Sequence, residues 1–494
     1  MPQFKFPITL HEAALQVSRQ VTSRLCICIH NSFSSYDDPI CRKVVYELQA
    51  YLIDKLPGNL IDILFNTSCT NSFCDDFDWR IFFSVFMHKN MNTFSPQIKV
   101  NLDDNFWCKK FEFSENITVL DLKLICTDEI LQVVGEKCKK LNFINISPKT
   151  KNIYCRFNAL KIKYFVSDLG LLHLCNCKNL QYVIMPKTIR SPASGFKITQ
   201  NGILILLKSL PKLKVITCSN LGNIIKNNVT DKSLKFSLTK IVKCSFENLS
   251  RPLILDSCPY LSELELINLD VSEAFSNTCV HNIDEALRVL QNHDTKLKVL
   301  SLSLITFCES FELFLFKKGS FLRSISIKIE RSFNKANIFY LGKCCPKIEK
   351  VCIKYCQKLE DSKNPPFEQF KNLFSQLRAL TLELYECKSI LVYFLNNNAP
   401  TKQLHLDSLS LEDSLDTIIN DLLRLHPFTH LEEFHLGSEL SYDILINFIT
   451  SCPMLKYLQI HKYLLCIDKI KIFVEYLKSR NVDIDLNLVI DRCI

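Results

Sequence analysis

The apolar positions of the chain repeat one six-residue unit, apolar-x-x-apolar-x-apolar, again and again from Ile117 onward. Clear copies are Ile117-x-x-Leu120-x-Leu122, Leu141-x-x-Ile144-x-Ile146, Leu180-x-x-Val183-x-Met185, Leu213-x-x-Ile216-x-Cys218 and Leu261-x-x-Leu264-x-Leu266. Further copies start at Leu297, Leu322, Ile348, Leu377, Leu431 and Leu455, with weaker ones near Leu238 and at Thr401, where Leu404 and Leu406 are in place. The thirteen starts are separated by 24, 39, 33, 25, 23, 36, 25, 26, 29, 24, 30 and 24 residues. In each unit the alternation predicts a short strand with two side chains turned inward, the first apolar residue anchoring the turn that enters it.

Between units the apolar period changes from two to three and four. Asp284–Leu300 and Ser441–Leu458 show this, and it predicts helices. Strand and helix alternating at a period of about 20–29 residues make an α/β leucine-rich-repeat solenoid, a curved parallel sheet with helices on its convex side; the longer intervals place extra loop on that side. On this pattern residues 111–494 form a solenoid of about 13 irregular repeats, and the non-repeating residues 1–110 form a helical N-terminal module.

A Cys/Pro signal often stands directly before the strand, as in Ser257–Leu261, Cys344–Ile348 and Ser451–Leu455. Proline cannot continue a helix, and cysteine is a small apolar residue suited to the helix–core junction. These features resemble the cysteine-containing leucine-rich repeats of F-box and related ubiquitin-ligase receptor proteins, most fully over Cys345–Asp361. The resemblance implies a non-catalytic substrate receptor of a cullin-RING ligase.

In the N-terminal module Thr9 is placed to cap a helix running through Val17, and a second helix is predicted from about Ile40 to Asp54. Leu56-Pro57 then opens a third, with Leu60 and Leu64 on one face. This stretch is similar to the cullin-contacting box of receptors that join elongin B and C, in which a preceding helix contacts elongin C. Thr9 and Leu10 stand at the start of such an element, with Ala14 where that family places Cys. The resemblance makes Thr9, Leu10, Leu56, Pro57, Leu60 and Leu64 candidate adaptor-binding residues. An F-box reading uses the same Leu56-Pro57 with Phe77, Trp79, Ile81 and Phe82, and a third reading makes the module a plain cap on the solenoid end.

Composition narrows the function classes. The chain has 24 Cys and 35 Phe but only 9 Gly, little material for the glycine-rich loops that hold nucleotides. The first residues lack a secretory signal, so the thiols are expected to be reduced in the cytoplasm or nucleus. The pairs Cys26/Cys28 and Cys175/Cys177 have no second pair or histidine at ligand spacing, so neither metal nor cofactor is expected. No apolar run is long enough to span a bilayer. The formal charge of +9 is uneven: Lys109 to Lys243 holds 23 Lys/Arg against 8 Asp/Glu. These lysines are scattered singly along the sequence and accompany no RNA-binding motif, so nucleic acid is not an expected partner.

No catalytic motif for nucleotide, acyl or metalloprotease chemistry is present, and a solenoid rarely encloses a deep pocket. Binding is the expected use. The residues alternating with the inward ones face the concave side, and in the C-terminal repeats they include Lys350, Lys354, Glu383, His405, Asp407, Glu433, His435, Tyr457, Gln459 and His461. His405 and His435 fall in one column of neighbouring repeats, with rings expected about 5 Å apart. Two functions fit: a ubiquitin-ligase substrate receptor with a protein substrate on that face, and an interaction scaffold unconnected to ubiquitin.

Overall fold

The computed structural model describes residues 10–33, 35–67, 76–96, 102–123, 125–147, 166–185, 196–218, 221–228, 233–267, 277–331, 334–355, 373–384, 391, 394, 400–408, 416, 419–420, 423–424, 428–437, 441–461, 472, 474–477, 479 and 484–489. Contacts divide the described residues into two compact units, one within 8–243 together with 256–260, the other within 244–255 and 261–494.

The first unit opens with α1 (Leu10–Ser32), α2 (Pro39–Lys55), α3 (Gly58–Thr67), α4 (Trp79–Phe86), strand β1 (Thr93–Phe94) and α5 (Asp104–Phe111). Asp38, Asp78 and Asp103 accept hydrogen bonds from the first amides of α2, α4 and α5, satisfying donors that a helix leaves unpaired at its start. These elements close on an aromatic core. Phe65, Phe82, Phe83, Phe86, Phe94, Trp107 and Phe111 are buried and in mutual ring contact. The sheet begins at β1, within the segment expected to be helical.

Strands and helices then alternate: β2 (Val119–Asp121), α6 (Asp128–Lys137), β3 (Phe143–Asn145), β4 (Val166–Ser167), α7 (Asp168–Leu174), β5 (Tyr182–Ile184), β6 (Phe196–Lys197), α8 (Gln200–Ser209), β7 (Val215–Thr217), α9 (Leu221–Asn228) and β8 (Lys240–Ser245). β1, β2, β3, β5, β7 and β8 form a parallel ladder in sequence order, and β4 pairs with β6 apart from it. Leu120, Ile144, Val183, Ile216 and Ile241 make a column of inward side chains with no exposed surface.

Two side-chain relays link successive helices. Asp128, first in α6, accepts from the backbone N–H and Oγ of Ser167, the residue that caps α7. Asp168, first in α7, accepts in the same way from Thr199, whose Oγ1 caps α8 by accepting from the Gly202 N–H. Glycine is required beside each carboxylate: a Cβ on Gly170 would lie 2.3 Å from Asp128 Oδ1, and one on Gly202 would lie 2.1 Å from Asp168 Oδ1.

The chain passes between units near α10 (Leu253–Ser257). The second unit contains β9 (Glu263–Ile267), α11 (Asn277–Asn292), β10 (Val299–Thr306), α12 (Glu309–Lys318), β11 (Ser324–Arg331), α13 (Lys335–Cys344), β12 (Lys350–Tyr355), β13 (Ala379–Leu384), β14 (Gln403–Ser408), β15 (Glu433–Leu436), α14 (Tyr442–Ser451), β16 (Tyr457–His461) and β17 (Asp485–Val489). β9 to β17 pair in parallel, each with its sequence neighbour. Leu264, Leu300, Ile325, Val351, Leu380, Leu404, Phe434 and Leu458 stack in register and are buried. Parallel pairing of every strand with its neighbour, with helical segments as connections, makes this an α/β fold of the leucine-rich-repeat type.

Nine of the thirteen repeat anchors are held by a tight turn. The N–H of Leu141, Leu180, Ile348 and Leu455 donates to the carbonyl three residues back, at Cys138, Cys177, Cys345 and Cys452. The same bond closes on Ser114, Leu210, Gly319, Phe374 and Phe428 in other repeats. What recurs is the turn. Cysteine fills it where the helix end packs into the core, as Cys138 does while its thiol donates to the Ser114 carbonyl at 3.3 Å.

Candidate interaction surfaces

In the second unit the residues turned away from the core form three rows across the strands. The middle row runs Ser301, Ser326, Cys352, Thr381, His405, His435 and Gln459, each in register with the next. The imidazoles of His405 and His435 stack at 5.4 Å between centroids and 11° between planes, and Tyr457 closes the group at 5.2 Å from His435. The parallel register causes the stacking, because it sets equivalent side chains one strand spacing apart. Burial, and next the neighbouring His435, hold the His405 pKa below its ordinary value.

Polar contacts frame these rings. Lys354 Nζ bridges Glu383 Oε1, Gln403 Nε2 donates to Glu433 Oε2 at 3.0 Å, and Tyr457 Oη donates to Gln459 Oε1 at 3.2 Å. Lys350 is exposed; Lys354, Glu383, His405, Asp407, Glu433, His435, Tyr457 and Gln459 are half-buried. His461 lies in β16, but its side chain is outside the described residues. Nine of the ten residues predicted for this face therefore have described side chains on strands β12 to β16.

The N-terminal candidates separate. Thr9 lies outside the described residues; Leu10 begins α1 with its side chain outside them. Pro57 is exposed, with its carbonyl accepting from Leu60 and Ile61, and Leu56 and Leu60 are half-buried. Leu64 is 1% exposed and belongs to the core. Of the side chains offered for an F-box helix, Phe77, Ile81 and Phe82 are buried, Phe82 within the aromatic core. The sequence reading missed Val17, Val21 and Leu25, exposed on one face of α1; their spacing of four was the available signal.

The thiols offer little chemistry. Cys26 is buried while Cys28, two residues on in α1, is exposed, so the two do not share a face. Burial pushes Cys138 up to about 12 and Cys177 up to about 11, keeping both protonated and weakly nucleophilic. Among the described residues, no group of three or more His, Cys, Asp or Glu is placed to hold a metal, and no helix is long and apolar enough to cross a membrane.

No family profile and no curated protein matches the chain in sequence. Among solved structures, the chain is similar to the crystal structure of the Rad7 and Elc1 complex in yeast, at 14% identity and a TM-score of 0.40, covering 90% of this chain and 91% of that one. A likeness at this level assigns neither partner nor function to this chain.

Proposed function

We propose that this chain is a non-catalytic protein receptor: the outward sheet face of its second unit holds a protein partner, and residues 1–110 attach it to a cullin-RING ubiquitin ligase through an elongin-type or F-box adaptor. The observation that carries the reading is the column of His405, His435 and Tyr457, set on rigid strands and framed by Lys354, Glu383, Gln403 and Glu433. Amphipathic rings on a fixed scaffold lose little entropy on contact and are the type of side chain that anchors interfaces. In this reading catalysis belongs to other subunits, and the receptor raises the local concentration of target lysines.

A scaffold reading is favoured by one observation, the burial of Leu64, which makes that side chain part of the closure of the sheet rather than of a docking surface. Affinity purification of the full chain with and without Leu56→Asp plus Leu60→Asp separates the two, with circular dichroism as a check that the variant folds. Elongins and a cullin, or an F-box adaptor, recovered with the parent and lost with the variant support the ligase receptor. Absence of ligase subunits from both samples supports the scaffold.

A further inference from the structure

Lysines far apart in the sequence of the first unit meet along one rim of its sheet. Lys139 and Lys140 precede β3, Lys178 precedes β5, and Lys212 and Lys214 precede β7; all five are exposed. Since β3, β5 and β7 are consecutive in the ladder, successive turns lie about 5 Å apart at ordinary strand spacing. Four of the side chains are held by neutral acceptors: Lys139 by the Gly135 carbonyl at 2.6 Å, Lys140 by Asn116 Oδ1 at 2.6 Å, Lys178 by the Ser209 carbonyl at 3.1 Å and Lys212 by Asn179 Oδ1 at 2.7 Å.

Their charge is uncompensated. Among the described residues none of the five bridges a carboxylate; the segment before β2 contributes two exposed acids, Glu112 and Glu115. The second unit differs: there Lys402 and Lys456 both bridge Glu432, and Arg323 bridges Glu349. A row of fixed, unpaired cations attracts a polyanion.

The second observation is aromatic. Phe143 and Tyr182, the first outward residues of β3 and β5, are register partners with rings 6.4 Å apart, and Tyr182 is 37% exposed. They follow Lys140 and Lys178 by three and four residues. An acidic peptide would use the lysines alone. A polynucleotide with unpaired bases uses both, placing phosphates on the cations and bases against the rings.

We propose that this rim binds single-stranded nucleic acid, with phosphates on the five lysines and bases stacked on Phe143 and Tyr182. The site is independent of the receptor reading and uses none of its residues. The sequence-based expectation against nucleic acid rested on lysines scattered in linear order, and the strand register removes that scatter for these five.

The test is fluorescence anisotropy of a labelled oligothymidylate with the full chain, titrated with salt. Binding should weaken steeply between about 50 and about 200 mM salt. Lys140→Glu with Lys178→Glu and Lys212→Glu should weaken binding at least about tenfold and flatten the log–log salt slope by about 2, from about 0.7 per lost phosphate contact. The corresponding Lys→Gln triple variant should reproduce the flattening, which guards against misfolding by charge reversal. Tyr182→Ala should weaken binding about five- to hundredfold with the slope unchanged. Salt-independent binding, no binding, or indifference to the triple variants would overturn the proposal. So would displacement by a glutamate-rich peptide together with indifference to Tyr182→Ala, an outcome that assigns the rim to an acidic protein segment instead.

Discussion

Gly202→Ala is expected to destabilise the first unit although it improves a helix. Gly202 is the third residue of α8, where alanine gains up to about 1 kcal/mol on propensity. The new Cβ, however, would lie 2.1 Å from Oδ1, 2.5 Å from Cγ and 3.1 Å from Cβ of Asp168. Turning the carboxylate alone cannot clear contacts with Cγ and Cβ, so the whole side chain must move away. It then abandons the Thr199 N–H at 2.7 Å and Thr199 Oγ1 at 2.6 Å. Two hydrogen bonds to a charged acceptor at about 1.5 kcal/mol each outweigh the propensity gain, leaving a net loss of about 2 kcal/mol. Asp168→Ala alone should cost about 3 kcal/mol; adding Gly202→Ala to it should recover about 1, a coupling of about 3 kcal/mol. Hydrogen exchange of peptides covering α7 and α8 reads the local opening free energy without requiring the whole chain to unfold in one step. A Gly202→Ala variant more stable than the parent, or single effects that simply add, would refute the reasoning.

Three further outcomes are expected. Burial holds the His88 pKa below its ordinary 6.5, beside the buried Asp62 whose Oδ1 lies 3.9 Å away; the unfolded chain therefore binds the extra proton first, and stability of the first unit should fall as pH drops below about 6.5. His88→Gln should remove that part of the acid sensitivity in pH-dependent melting. Leu404→Ala empties a buried position between Leu380 and Phe434 and should cost about 2–5 kcal/mol in the second unit, seen as faster exchange of β13 to β15 amides. Glu383→Gln breaks the half-exposed bridge to Lys354 and should change melting by less than about 1 kcal/mol, a limit that a larger shift would contradict.

Much of the fold was legible because the repeat is written in apolar spacing. All thirteen unit starts, from Ile117 to Leu455, lead directly into a strand of the ladder. The strands missed have physical reasons: β1, β4 and β6 are two residues each, too short to show alternation, and β17 carries Leu486 and Leu488 without a clear anchor ahead of them. The Cys/Pro signal was read too narrowly, since the turn it marks also takes Ser114, Gly319 or Phe374. Long-range relations were not legible. Asp128 with Ser167 and Asp168 with Thr199 span 39 and 31 residues, and the pairing exists only once helices stack. The outward rows followed from strand alternation alone, which is why the His405–His435 stack was foreseeable and the burial of Leu64 was not: Leu64 shares a helix face with Leu60 in sequence, but which of the two is covered depends on the packing of α3 against elements distant in the chain, among them α4 and β1.

The central claim, that the short strands stack in register one after another, is tested most directly by electron–electron distances within the second unit. Spin labels carried on an introduced unnatural residue avoid the native cysteines; one stays at Ser301, and its partner moves to His405, His435 and Gln459, which are four, five and six strands away in the middle row. At about 4.8 Å per strand the backbone separations are about 19, 24 and 29 Å, so the measured distances should grow in near-equal steps of about 5 Å. Distances that fail to increase in that order, or that cluster at one value, would contradict the parallel ladder.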